Sequence, residues 1–584
     1  MERYSMFKNK VIVNLTMMYC DTPEKLFSSE LFKEVLARFF DRLKYRQSRF
    51  IEFITKNTPE GFSPLHYTIS LLRLLTSYNA EGILEINNEY APILTHKEIF
   101  YEFIEEFYNF WRRLERYLVL EAPRSSHYTS YSYHHAQFIR DNEELKHLIL
   151  KVYRAICENL TGRNPRVYRQ LPSGANIGVL IEPIDWDCPE AYGKLTNIPF
   201  IRLALMEPPL ILYPTMNFRE GVFEEIAFNP LENATIQEDE WFCYPARVGP
   251  LVAFVYFHRD FASLGMSLIN LFEIADFEEI KDKRPDIIYI FGDDTPGLKE
   301  RVAFYDDVKN SIVTGYASYS ERHDYFGYLK KMTLTLHNLT MMKRGRLPLH
   351  GAMVAIRLKS GAEANIIMIG DSGAGKSETL EAFRVLSDEH ISEMTVIFDD
   401  MGSIAIQNDR ILGYGTEIGA FVRLDDLQPG YAFEEIDRSI FMNPHRNNAR
   451  VIIPVTRYHN IVKGYPVNLF LYANNYEQPN EEDAVIEFIP DIDRALDVFR
   501  YGARLAKGTT DEKGLTHSYF ANPFGAVQRK EIHENLAHQY FEKMFATGIK
   551  VGQIRTQLGI EGYELEGPKL AALELFNVIQ NLSK

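Results

Sequence analysis

The sequence predicts an α/β fold preceded by an α-helical N-terminal extension. Three observations carry that reading. Residues 22–160 repeat apolar side chains at helical spacing, as in LFKEVLARFFDRLKYRQSRFIEFI and HKEIFYEFIEEFYNFWRRLERYLVL. From about residue 161 the texture changes to short strand-like runs broken by Pro and Gly. From about 347 fully apolar runs follow, and one of them, NIIMI, leads straight into the glycine-rich GDSGAGKSE.

Taken in order, these textures divide the chain into 1–160, a helical extension; 161–330, an α/β domain; and 331–584, an α/β domain that carries the glycine-rich loop. Within the first, SSHYTSYSYHHAQF interrupts the helical pattern and carries His127, His134 and His135. No acidic or cysteine partner stands at ligand spacing, so this stretch reads as a solvated loop or aromatic packing rather than a metal site. The second holds ANIGVLIEPI, PPLILYP, GPLVAFVYF and DIIYIF. The third holds HGAMVAIRL, ANIIMIG, MTVIFDD, RVIIPV and VNLFLYAN, the buried strands of an α/β core, and ends in helices such as GPKLAALELFNVIQNL.

Composition narrows the classes. The chain has 584 residues, 46% hydrophobic and 25% charged, which is ordinary for a globular protein. A net charge of −16 argues against a nucleic-acid partner. The four cysteines are scattered without a C-x-x-C pair, as expected of reduced thiols in a cytoplasmic protein. No apolar run is long enough to span a membrane, and no signal peptide is expected.

GDSGAGKSE fits G-x-x-x-x-G-K-[ST], the P-loop. Its glycines, Gly370, Gly373 and Gly375, let backbone amides curl round phosphate oxygens, and the helix that follows turns its positive end to the anion. Asp371, Ser372, Ala374 and Glu378 complete the loop, Lys376 meets the outer phosphates, and the Ser377 hydroxyl suits Mg²⁺. TVIFDD, about twenty residues on, offers Asp399 and Asp400 as a Walker-B-like metal partner. A nucleoside triphosphate is therefore the expected ligand.

A histidine in LHGAMV (His350), then G-x-S-G-x-G-K-[ST], then a strand ending in DD resembles the pattern shared by phosphoenolpyruvate carboxykinases and HPr serine kinase/phosphorylases. HGAMV and GDSGAGKSE are spelled closer to the HPr kinases. Three further stretches resemble the ATP-using carboxykinases. YFGYLKK is similar to Y-G-G-E-M-K-K, with the family's eighteen-residue gap between Lys331 and His350. NNARVIIPVTRYHNIVKG is similar to N-T-R-x-x-Y-P-I-x-x-I-x-N, and ARLAKGTTDEKGLTHSYFANPFGA to the family's A-K-x-A-G-T-E-x-G region. The resembling stretches keep the family's order from Tyr325 to Ala526, so the resemblance implies a phosphoenolpyruvate carboxykinase-like two-lobed core, with 161–330 the α/β substrate-side domain and 331–584 the P-loop nucleotide- and metal-binding catalytic domain.

The resemblance implies a lyase that turns oxaloacetate and a nucleoside triphosphate into phosphoenolpyruvate, CO₂ and the diphosphate. It gives Lys331, His350 and Asp400 to Mn²⁺ or a similar ion, and Ser377 with the triphosphate to Mg²⁺. Ser372 and Lys376 would contact phosphates, Arg450 would bridge the γ-phosphate and the enolate oxygen, and Tyr325 would lie beside the substrate. LTGRNPR resembles T-G-R-S-P-K-D and nominates Arg163 for a substrate carboxylate; GTTDEKG (508–514) is the expected lid. EIGAFVR replaces E-G-G-x-Y-A-K, so Glu417 is kept while a phosphate-contacting lysine becomes Arg423. FDDMG and IRTQLGI also depart from the pattern, leaving ATP, GTP and pyrophosphate open as donors. Two rivals stand beside the lyase: a kinase acting on a protein serine or small molecule, and a regulatory nucleotide-binding protein whose helical N-terminus engages a partner.

Overall fold

The computed structural model describes residues 3–15, 20–122, 128–162, 173–221, 223–295, 297–298, 301–385, 390–424, 438–479, 484–506 and 514–582. The chain is mixed α/β and divides into two compact units, Met1–Ile184 with Pro199–Leu210, and Asp185–Ile198 with Ile211–Lys584. No helix among the described residues is long and apolar enough to cross a membrane.

In the first unit, strands follow the sheet order Arg3–Phe7, Lys10–Leu15, Glu115–Glu121, Ile177–Glu182, Phe200–Met206. The two outer pairings are antiparallel and the two inner ones parallel. Parallel neighbours need crossovers, and helices supply them: Glu30–Tyr45, Pro64–Leu75 and Lys97–Arg113 before the third strand, Tyr128–Thr161 after it. Val11, Val13, Leu118 and Leu120 of the sheet pack with Val35, Phe138 and Leu145 of the helices.

The expected all-helical extension is thus corrected to an α/β unit, and its edge moves from residue 160 to take in the strands Ile177–Glu182 and Phe200–Met206. ERYLVL continues the helical apolar spacing of the segment before it, yet the helix stops at Arg113 and Glu115–Glu121 is a strand. Six of that strand's seven residues are buried, so it shows no in-out alternation, and periodicity cannot tell such a run from buried helix. The loop expected around SSHYTSYSYHHAQF is also corrected, because the long helix begins at Tyr128. His127 and the His134 side chain lie outside the described residues.

The second unit holds a mixed sheet in the order Trp241–Val248, Leu251–His258, Ile287–Asp293, Ile312–Ser318, Val302–Asp307, Glu224–Glu225. A second sheet of eight strands centres on Ile391–Gln407, Leu347–Leu358, Glu363–Ile369 and Leu469–Asn474, adjacent in that order. A third joins Gly419–Arg423, Arg450–Pro454 and Ile440–Met442. The helix Phe326–Lys343 contacts both Ile312–Ser318 of the first sheet and Leu347–Leu358 of the second. Packed on two sides, it is buried nearly all round, from Phe326 to Met342 with Lys331 the partial exception. Its approach is close: a Cβ on Gly315 would come within 2.7 Å of Leu336. The boundary expected at 330/331 falls inside this helix, and neither unit ends there.

Two histidines of this core are fully buried. His337 bonds through Nδ1 to Asn338 Oδ1 at 2.9 Å, and His533 reaches the Tyr519 hydroxyl at 3.0 Å. Burial pushes each imidazole down to about 4. The unfolded chain therefore takes up these protons first as pH falls, and stability drops between about pH 6.5 and 4, by up to roughly 3 kcal/mol for each ring. Urea midpoints measured across that window should slope less steeply with pH in His533→Asn than in the parent; equal slopes would refute the assignment.

Candidate active site

The second sheet assembles the site through its register. His350 stands opposite Met401, Gly351 opposite Asp400 and Ala352 opposite Asp399, so the strand carrying His350 lies against the one carrying both aspartates. On its other side Gly351 pairs with Ile369, the last residue before the P-loop, and the Gly370 amide bonds the His350 carbonyl at 3.2 Å. A side chain at Gly351 would put its Cβ 2.3 Å from the Met368 carbonyl, so only glycine lets these strands meet. Asp400 has φ of 139°, a strained value for a residue with a side chain.

The loop then turns into the helix Lys376–Val385. Its carbonyls are taken up by side chains: Lys376 Nζ donates to Asp371 O at 3.1 Å, Asn475 Nδ2 to Gly373 O at 2.9 Å and Thr556 Oγ1 to Ala374 O at 2.7 Å. Gly375 has φ of 91°, and a Cβ there would strike Thr556 at 2.5 Å. Arg504 Nε lies 3.3 Å from Asp371 Oδ2. Burial pushes the Asp371 carboxyl up, but the charges of His350 and Arg504 bring it below its ordinary range. Ser377 Oγ donates to Asp399 Oδ1 at 3.0 Å, and burial raises the Asp399 carboxyl.

Around this loop opens a cleft of about 670 Å³. It is lined by Tyr325, Lys331, His350, Asp371, Ser372, Gly373, Gly375, Lys376, Ser377, Glu378, Asp399, Asp400, Arg423 and Arg450, all singled out in the sequence, and by Lys330, Phe421, Asn522 and Phe524, which were not. Gly370 and Ala374 are buried in the loop itself, and Glu417 is buried beside Lys330. Arg163 and residues 508–513 of the expected lid lie outside the described residues. Arg423 and Arg450 are register partners on neighbouring antiparallel strands, and both line the cleft. The Arg450 guanidinium lies over the Phe421 ring, 5.5 Å from its centroid.

His350 donates from Nδ1 to the Ala521 carbonyl, which leaves Nε2 facing Asp400 Oδ1 at 3.0 Å. Ala521 lies in a run of three non-glycine residues, Phe520, Ala521 and Asn522, with φ of 48°, 59° and 61°. Such left-handed residues normally occur singly. This run is held by the His350 bond and by Phe520 packing on His533 and Phe541.

The carboxylate of Asp400 is bound by Lys330, not by Lys331. Lys330 is 2% exposed and also lies 3.5 Å from Glu417 Oε1. Burial alone would push Lys330 down; Asp400 and Glu417 outweigh it and hold the ammonium above its ordinary value. Burial would raise Asp400 as well, but Lys330 and His350 keep it well below the carboxylate range. Burial lifts Glu417 to about 8. Lys331 lies 5.3 Å from the Phe524 ring centroid, and burial, then the charge of Arg219, bring it down to about 8. Among the described residues no group of three His, Cys, Asp or Glu side chains is arranged to hold a metal ion.

Neighbouring lysines on one buried helix leave nothing in the sequence to choose between them. Asn475 had a signal: NN closes the apolar strand VNLFLYANN much as DD closes TVIFDD. No family model matches the chain, and no curated protein matches it.

Removing the Lys330 charge leaves the buried Asp400 carboxylate without its cation. Lys330→Met should cost roughly 3–5 kcal/mol in urea unfolding at neutral pH, and adding Asp400→Asn should restore part of it. A Lys330→Met protein as stable as the parent would show that the charge is not needed.

Proposed function

We propose that this chain is a phosphoenolpyruvate carboxykinase-like lyase that forms phosphoenolpyruvate, CO₂ and a nucleoside diphosphate from oxaloacetate and a nucleoside triphosphate. One observation carries the reading: a P-loop, two aspartates, a histidine with one ring nitrogen turned to a carboxylate, two lysines and two register-paired arginines line a single cleft. The choice of reaction comes from the resemblance to the carboxykinases read in the sequence between Tyr325 and Ala526. A kinase acting on a hydroxyl has no evident use for a second, low-lying lysine beside the histidine and aspartate.

In the reaction, the bond between C3 and C4 of oxaloacetate breaks, and its electron pair stays behind as an enolate. The enolate oxygen bonds to the γ-phosphorus while the β–γ bridging P–O bond breaks towards the diphosphate. Lys376 would exchange the Asp371 carbonyl for a phosphate oxygen, and the helix behind it favours negative charge at its N-terminus. Arg423 and Arg450, register partners that both line the cleft, would bind the transferring group through charge-assisted contacts. Arg450 also lies close enough to Tyr325 to oppose the upward push of burial on its phenol, and both would lie beside the substrate.

A divalent cation would be held by His350, whose Nδ1–H donates to a carbonyl and whose Nε2 faces Asp400, by Asp400, which stays ionised, and by Lys331, brought down to about 8; it would take the place of the Lys330 ammonium on Asp400. A cation on these residues, with Mg²⁺ at Ser377 backed by Asp399, would supply Lewis-acid stabilisation of the charge that develops on oxygen.

A coupled assay with Mn²⁺, oxaloacetate and ATP, GTP or pyrophosphate should show phosphoenolpyruvate formation with at least one donor. Arg450→Ala and Lys331→Ala should lower kcat at least 100-fold, the scale seen when a group that stabilises transition-state charge is removed. Tight nucleotide binding with no phosphoenolpyruvate from any donor would overturn the lyase and favour the kinase.

A further inference from the structure

Asn475 has the most demanding hydrogen-bond pattern near the cleft. It is fully buried at the end of the strand Leu469–Asn474 and belongs to no catalytic group. Its Nδ2 donates to Gly373 O at 2.9 Å and to Leu505 O at 3.0 Å, while its Oδ1 accepts from the Leu505 amide at 2.8 Å. Both amide hydrogens are used, and the orientation is fixed because only the carbonyl end can accept from Leu505. Towards Leu505 the side chain acts as a strand neighbour would, and with its remaining hydrogen it holds the P-loop. Its own carbonyl accepts from the Gly559 amide at 3.0 Å. The P-loop, the strand Ala503–Leu505 and the turn at Gly559 are therefore joined through this one residue.

Gly373 is the loop's first left-handed glycine, with φ of 77°. Turning its peptide would move the amides that follow, and those amides are a P-loop's phosphate-binding groups. We propose that Asn475 is a positioning residue that holds the P-loop in its phosphate-binding shape through the Gly373 carbonyl, and so sets nucleotide affinity. The affinity half of this rests on the function proposed above; the clamp itself does not.

Asn475→Asp tests the clamp. The aspartate keeps an acceptor for the Leu505 amide but can donate to neither Gly373 O nor Leu505 O, and it faces both carbonyls with negative charge. Hydrogen exchange at the amides of Ser372–Ser377, read without nucleotide, should become at least tenfold faster. Nucleotide KM should rise at least tenfold, with kcat and the oxaloacetate KM changed less than threefold. Asn475→Ala, which adds no charge, should move the same amides in the same direction and serves if the aspartate variant does not fold. Unchanged exchange in the loop overturns the clamp. Oxaloacetate and nucleotide KM rising together, alongside a lower urea midpoint, overturns it too, since that is general loosening. Faster exchange in a protein whose parent binds no nucleoside triphosphate keeps the clamp and rejects the lyase.

Discussion

The ammonium of Lys330 is the constraint around which the larger unit is arranged. The helix that carries it is packed between two sheets, and Lys330 in its first turns is 2% exposed, so its charge is almost wholly withdrawn from water. A lone buried charge would cost several kcal/mol, and removing one partner of a buried pair is correspondingly severe. Asp400, from the strand Ile391–Gln407, and Glu417, just before the strand Gly419–Arg423, meet it. Asp400 therefore sits where the fold needs an anion, and its strained backbone persists because the surroundings over-determine it. The site carboxylate and the core are one arrangement.

From that point the geometry propagates by strand register. Pairing Gly351 with Asp400 on one side and Ile369 on the other sets His350, the aspartates and the start of the P-loop within reach of one another. The loop contributes amides because its carbonyls are occupied by Lys376, Asn475 and Thr556. Cations gather at the opposite wall, where Arg423 and Arg450 are set in register by the pairing of their strands.

Much of this was legible in the sequence because it is written locally. A phosphate loop needs glycines at set spacings and calls for an acidic pair after a nearby apolar run, so Gly375, Ser377, Asp399 and Asp400 could be named without a structure, although the strand expected to end at the aspartates runs on to Gln407. Residues that act through pairing between distant segments could not. Lys330 and Lys331 are adjacent and both buried, and only the position of Asp400 distinguishes them. Arg504 and Thr556 serve the loop from the far end of the chain. The N-terminal strands were hidden for a different reason: Glu115–Glu121 is buried on both faces, which erases the alternation that would have marked it.

The separations along the chain carry a last consequence, for synthesis. His350 finds its carbonyl partner 171 residues later, and Ala374 meets Thr556 after 182. At the pace of a translating ribosome, the second interval lasts roughly ten to forty seconds. Throughout it the P-loop has left the ribosome's catalytic centre while the threonine that braces it has not been made. A nascent chain gains the loop's supports in stages, Lys376 with the loop itself, Asn475 about a hundred residues later and Thr556 after that. Termination between the loop and Thr556 would leave a chain with the loop's letters and without all of its supports.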